Sequence, residues 1–162
     1  MTHPEQLLSN QICFRIYTLE KQIMSLYRPL LDRHGLTYPQ YLVMLVLWEK
    51  KELSIGGLCS VLTLDTGTVS PLVKRMERSR LIKRYRSHVD ERTVLVRLTE
   101  KGRALQEKVL DVPGIISQCV IASVEEYELL RSVLDRTIER VTHGACESVH
   151  AHYDLIQRSE KT

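Results

Sequence analysis

Cys13, within Gln11-Ile12-Cys13-Phe14-Arg15-Ile16-Tyr17, is the side chain with the most reactive chemistry in this sequence. A cysteine thiolate is the nucleophile toward peroxide oxygen and disulfides, and phenol donors favour the ionised sulfur. Tyr17 stands at i+4, so on a helix it lies beside Cys13 on one face. Residue type alone supports a plainer role, because free cysteine most often packs as a small buried hydrophobe. Cys59, Cys119 and Cys146 are scattered and no CxxC pair occurs, which argues against a zinc ribbon and a small disulfide scaffold. Cys59 reads as core. His143 and His150 flank Cys146 at i−3 and i+4, a spacing able to hold a metal on a helix, but the polar tail around them reads as frayed. No metal and no cofactor is expected.

A second chemistry is the binding of a polyanion. The chain carries a net charge of only +3, yet Lys74 to Arg103 holds 11 basic residues against 4 acidic ones. A basic block inside an otherwise acidic chain points to nucleic acid. Three groups of residues suit that task. The hydroxyls of Thr66, Thr68 and Ser70, with the backbone amides at the start of a helix, can hold phosphates. Pro71, Lys74 and Arg75 lie on the polar side of that helix, where the two cations can reach the major groove. Arg86 and Arg92 flank a hairpin tip able to enter the neighbouring minor groove.

The elements that must position these groups follow from periodicity and punctuation. An apolar stripe through Cys13, Ile16, Ile23, Tyr27 and Leu30 predicts a helix from Leu8 to about Leu31, stopped at Gly35. Thr37 caps the next helix, with Pro39 in its first turn, and that helix ends between Lys50 and Leu53. Ser54 caps a short helix, Thr63 and Leu64 turn the chain, and Asp65 caps a helix reaching about Ser79. Val69, Leu72, Val73 and Met76 form its core stripe. Two strand-like runs, "IKRYRS" and "TVLVRL", flank the polar tip "HVDER". A helix-turn-helix followed by such a hairpin is a winged helix. Thr99 caps a further helix to about Asp111, "VPG" interrupts it, and Ser123 to Glu126 forms a capping box opening the last helix.

At 162 residues, 43% hydrophobic and 27% charged, the chain suits one globular domain, mainly α with a small β-wing. No apolar run reaches the roughly 18 residues of a membrane span, and "MTHPEQLLSN" lacks a signal pattern. A cytoplasmic location without a membrane partner is expected. The winged helix-turn-helix core is assigned to residues 37–98. Residues 8–35 and 100–145 carry apolar stripes with no core of their own and are assigned to dimerisation within a single domain spanning 1–162. A two-fold homodimer would set two reading helices about one DNA turn apart, and its operator would be pseudo-palindromic.

The run "LTLDTGTVSPLVKRMERSRLIKRYRSHVDERTVLVRLTEKG", with its Asp-x-Arg wing pair Asp90 and Arg92, resembles the MarR family of dimeric winged-helix regulators. "CFRIY", "YRPLL" and "GLTYPQYLVMLVLWE" are similar to the organic-hydroperoxide sensors within it, the OhrR type. The resemblance implies a repressor released from double-stranded operator DNA when Cys13 is oxidised by an organic hydroperoxide. It implies that Tyr17, Tyr27 and Tyr38 support the thiolate. Tyr27 is 14 residues beyond Cys13, about 21 Å along a straight helix, so this contact would have to cross a dimer. In the two-cysteine branch, a distal cysteine of the other subunit resolves the oxidised sulfur, and Cys119 is the best match. Two other functions remain open: a repressor released by a small aromatic ligand, and a thiol peroxidase. A thioredoxin-like peroxidase would need strands alternating with helices around Cys13, and the expectation is a regulator, not an enzyme.

Overall fold

The computed structural model describes residues 3–143. The chain divides into two compact units, residues 1–116 and 117–162. The first is a helical body with a three-stranded antiparallel sheet in the order β1-β3-β2.

Two 3-10 turns, Pro4–Gln6 and Leu8–Asn10, precede helix α1 (Ile12–Asp32). The helix expected from Leu8 therefore begins four residues later. Asn10 Nδ2 donates to Pro4 O at 2.8 Å and Gln11 Nε2 to Glu5 O at 2.6 Å, so side chains compete for carbonyls that a longer helix would use. At its far end Gly35 adopts φ +66° and Leu36 N–H reaches back to Leu31 O at 3.2 Å, the left-handed termination that favours glycine.

Thr37 opens α2 (Tyr38–Lys50) with a reciprocal capping box to Gln40. Helix α2 is the centre of the core, burying Tyr41, Val43, Met44, Val46 and Leu47. It ends at Lys51, and the chain enters β1 (Glu52–Ser54), a strand the sequence reading does not anticipate. Three residues are too few to show alternation, and β1 exists only through pairing of Leu53 with Val96 and its neighbours.

Ser54 Oγ accepts from Gly57 N at 2.9 Å and starts α3 (Ile55–Leu62). Thr63, at φ +53°, makes the turn into α4 (Thr66–Arg78), which Asp65 caps. Val69, Leu72, Val73 and Met76 are all buried, as their spacing requires. Strands β2 (Ile82–Arg86) and β3 (Val94–Leu98) pair with Ile82 opposite Leu98 and Arg86 opposite Val94. Because β2 is an edge, its Arg84 N–H would face outward, but Glu77 of α4 accepts it at 2.9 Å.

Thr99 caps α5 (Glu100–Lys108), where Gly102 passes directly under the Leu81 carbonyl and accepts from Trp48 Nε1 at 3.0 Å. "VPG" does not merely interrupt this helix. The break falls just before it, and Val112-Pro113-Gly114 forms the first turn of α6 (Val112–Val120), where proline's missing N–H costs no bond.

The second unit contains the end of α6 and α7 (Val124–His143). Ser123 Oγ accepts from Glu126 N at 3.2 Å, while the Glu126 carboxylate takes the Ala122 N–H at 2.5 Å. The expected box is thus displaced by one residue on its return bond. No described residue from 117 to 142 is buried, so the stripe through Tyr127, Leu134, Ile138 and Val141 is uncovered in the single chain.

Candidate redox and nucleic-acid sites

Helix α4 turns its core stripe inward, and this sets Thr66, Thr68, Pro71, Lys74 and Arg75 outward, with Ser70 half-buried. Of the three hydroxyls expected to hold phosphates, one is already committed. Asp65 accepts Thr68 N at 2.8 Å and Thr68 Oγ1 at 2.9 Å, and these bonds, the hydroxyl's first, hold its carboxyl below the usual range. An ionised carboxylate therefore caps the α4 amide end, as the sequence leads one to expect of Asp65. Thr66 and Ser70 instead line a cleft of about 340 Å³ with Ser54, Gly56 and Arg92. Hydroxyls of α4, the start of α3 and the Arg92 guanidinium of the wing thus line one cleft.

The wing tip is built by Asp90. Its carboxylate accepts Arg92 N at 3.0 Å and Thr93 Oγ1 at 2.7 Å, and its acidity is raised first by the Thr93 hydroxyl and then by the Arg92 N–H. Asp90 acts on the loop backbone and leaves the Arg92 side chain exposed. Both contacts of the Asp90 side chain stay within the wing tip. Arg86 Nη1 donates to Glu91 O at 2.6 Å, closing the tip from the other strand.

The link between reading helix and wing escapes the sequence reading. Glu77 near the end of α4 accepts Arg84 Nε at 2.8 Å and Nη2 at 2.6 Å as well as its N–H, locking α4 to β2. On the outer sheet face Tyr85 OH donates to Glu52 Oε2, and the Arg97 guanidinium lies 5.0 Å above the Tyr85 ring. Neither set has a local sequence signal. Glu77 and Arg84 are seven apart across a change of element, and Glu52 lies on the unanticipated strand.

Cys13 is exposed on α1 rather than packed as core, and Tyr17, also on α1, is 58% exposed. Ile12, Phe14, Ile16 and Leu19 around them are exposed too, leaving an apolar surface. Helix α1 runs unbroken from Ile12 to Asp32, which keeps Tyr27 about 21 Å from Cys13 along the axis. Tyr27 and Tyr38 do come together: their rings are 4.6 Å apart, with Tyr41 6.1 Å from Tyr27. Burial raises the pKa of Tyr27 and Tyr38, with repulsion from Tyr38 adding to the shift at Tyr27, and it pushes Tyr41 up to about 12. All three phenols are therefore protonated near neutral pH and able to donate.

Cys119 is exposed on α6. Cys59 is half-buried rather than core, its Sγ 3.8 Å from Thr66 Oγ1 across the turn between α3 and α4. Cys146 and His150 lie outside the described residues, as does the His143 side chain. Among the described residues no group of three potential metal ligands occurs, and no helix is long and apolar enough to cross a membrane.

Residues 25–109 match the family model described as transcriptional regulator SarA/Rot. The chain is 45% identical over 132 residues to the organic hydroperoxide resistance transcriptional regulator of Bacillus subtilis, covering 82% of this chain and 90% of that protein. Among solved structures it is similar to reduced AbfR bound to DNA, with TM-score 0.75 and 32% identity over 88% of this chain and 98% of that one. It is also similar to the disulfide-formed AbfR, with TM-score 0.59 and 33% identity over 84% and 90%. The helical body, the three-stranded wing and these likenesses agree, and the chain belongs to the MarR/SarA family of winged helix-turn-helix transcriptional regulators, not to an enzyme family.

Proposed function

We propose that this chain is a homodimeric repressor that binds pseudo-palindromic operator DNA and is released when organic hydroperoxide oxidises Cys13. The observation that carries this reading is an exposed thiol on an uncovered apolar helix face, in a chain whose other end of charge is a basic winged reading head. The relatives support it: one is named for organic hydroperoxide resistance, and AbfR occurs both reduced on DNA and with a disulfide formed.

In the reduced, DNA-bound repressor Lys74 and Arg75 of α4 face the major groove, Thr66 and Ser70 take backbone phosphates beside Arg92, and Arg86 supports the wing in the minor groove. Residues 8–35 and 100–145 pair with those of a second copy, covering the stripes of α1 and α7. In that dimer the Cys13 thiolate of one subunit accepts from Tyr17 of its own helix and from the phenols of Tyr27 and Tyr38 of the other subunit. Oxidation then proceeds in two balanced steps. The thiolate attacks the outer oxygen of the hydroperoxide, the O–O bond breaks, the alkoxide takes a proton and leaves as alcohol, and sulfur retains the oxygen as sulfenic acid. The Cys119 thiol of the other subunit attacks that sulfur, forming the S–S bond and releasing water. The disulfide demands sulfurs about 2 Å apart, and pulling helices together to that distance changes the spacing of the two reading heads.

The test is operator binding by fluorescence anisotropy with and without cumene hydroperoxide. Wild type is expected to release DNA, and Cys13→Ser to stay bound at the same peroxide dose. Equal release by both proteins would sink the redox reading. Cys119→Ser is expected to lose the peroxide-induced dimer on a non-reducing gel, and persistence of that dimer would reject Cys119 as the resolving thiol.

A further inference from the structure

A cleft of about 1190 Å³ lies between the end of α4, edge strand β2 and the start of α5. It is distinct from the α4 and wing-tip residues assigned to operator contact. Three of its lining cations, Arg80, Lys83 and Arg97, make no ion pair within 4.0 Å among the described residues. Arg84 in the same wall is neutralised by Glu77, and Lys101 and Arg103 point N–H groups at the Ser79 and Leu98 carbonyls, at 2.9 and 3.1 Å. Glu100 is the remaining acid of the lining.

Two features of the cleft are unfavourable to the protein alone. Lys83 stands directly opposite Arg97 in the β2–β3 register, and like charges facing each other across strands destabilise the pair. The one acid opposite Arg97 on its other side is Glu52, whose carboxylate accepts the Tyr85 hydroxyl. Arg80 holds φ +59°, a left-handed conformation in which a glycine would be free of strain. Leu81 N–H donates to Met76 O at 3.1 Å, so Arg80 occupies the left-handed position that terminates α4 and turns its side chain's base toward β2.

We infer that this cleft binds a multiply charged phosphate anion through Arg80, Lys83 and Arg97. Planar guanidiniums suit paired phosphate oxygens, and Lys83 adds a compact charge between them. An anion seated there relieves the Lys83–Arg97 repulsion. The phosphate is either free or part of a DNA backbone flanking the operator, and both sources present the same oxygens.

Two arms distinguish them. Calorimetric titration with inorganic tripolyphosphate needs no operator, so its outcome is independent of the DNA-release reading. Anisotropy compares a core operator fragment with one extended by about one helical turn (~10 bp) on each side. Lys83→Ala and Arg97→Ala are each expected to weaken the responsive ligand about tenfold, the scale of one lost charge-assisted contact. Lys108→Ala, outside the cleft, controls for net charge. Arg80→Gly is expected to raise Tm while weakening the anion, a combination that a purely structural Arg80 would not produce. Loss with tripolyphosphate identifies a free anion; loss confined to the extended fragment identifies flanking DNA. The inference is overturned if neither ligand distinguishes the cleft variants from wild type, or if Lys108→Ala loses as much as they do.

Discussion

Glu77→Gln tests whether the reading helix and the wing move as one body. The Glu77 carboxylate accepts three bonds from Arg84, at 2.9, 2.8 and 2.6 Å, while the two side chains are 34% and 28% exposed. Glutamine keeps the size and one acceptor but turns an amide toward a guanidinium and loses the charge. Hydrogen bonds to charged groups contribute about 1.5–3 kcal/mol when protected, and exposed ion pairs contribute less than about 1 kcal/mol. One-third exposure places this substitution at the low end of the first range, at about 1.5 kcal/mol near pH 7. For a chain of this length that is roughly 3–6 °C in Tm. The pH dependence has a definite sign. Arg84, through its side-chain hydrogen bonds first, holds Glu77 below the usual carboxylate range. The contribution is therefore fully present above the unfolded value of about 4.3 and is lost as pH falls through the lower folded value. Urea unfolding followed by circular dichroism, at one protein concentration, should show wild type and Glu77→Gln well separated at pH 7 and converging in acid. Pairing the change with Arg84→Met in a double-mutant cycle isolates the side-chain coupling, expected at about 1 kcal/mol. Operator affinity should fall alongside stability, because both contact elements are anchored through this one carboxylate. Equal stability at pH 7, or a difference that widens on acidification, would refute the reasoning.

Gly102→Ala should cost about 2 kcal/mol despite alanine's better helix propensity, since the new methyl meets the rigid Leu81 carbonyl; an unchanged or higher Tm would contradict this. Tyr27→Phe and Tyr38→Phe each remove a phenol donor, and sulfenate trapping at neutral pH should show Cys13 oxidised roughly tenfold more slowly. Rates equal to wild type in both variants would detach the tyrosine pair from the thiol. Asp90→Ala should lower operator affinity several-fold with little change in the urea midpoint, because Asp90 bonds only within its own exposed loop; undiminished affinity would show that wing-tip order is irrelevant to binding.

Much of the architecture was legible in the residues themselves. The stripe Val69, Leu72, Val73, Met76 dictates which side of α4 is buried, and so which side offers Lys74 and Arg75. Ser54, Thr37, Asp65 and Thr99 each accept or organise the first amides of a helix where their type and position predict. These are local effects, settled within a turn or two of chain, and a sequence carries them in full. The start of α1 departs from its periodicity because Asn10 and Gln11 reach back to carbonyls six residues away, just beyond the range that periodicity describes. Strand β1, the Glu77–Arg84 lock, the Tyr27–Tyr38 pair and the Lys83–Arg97 opposition belong to tertiary structure alone. Each depends on the register in which separate elements meet, and register is decided by burying the shared core around α2. That process brings together residues whose separation in sequence says nothing of their distance in space.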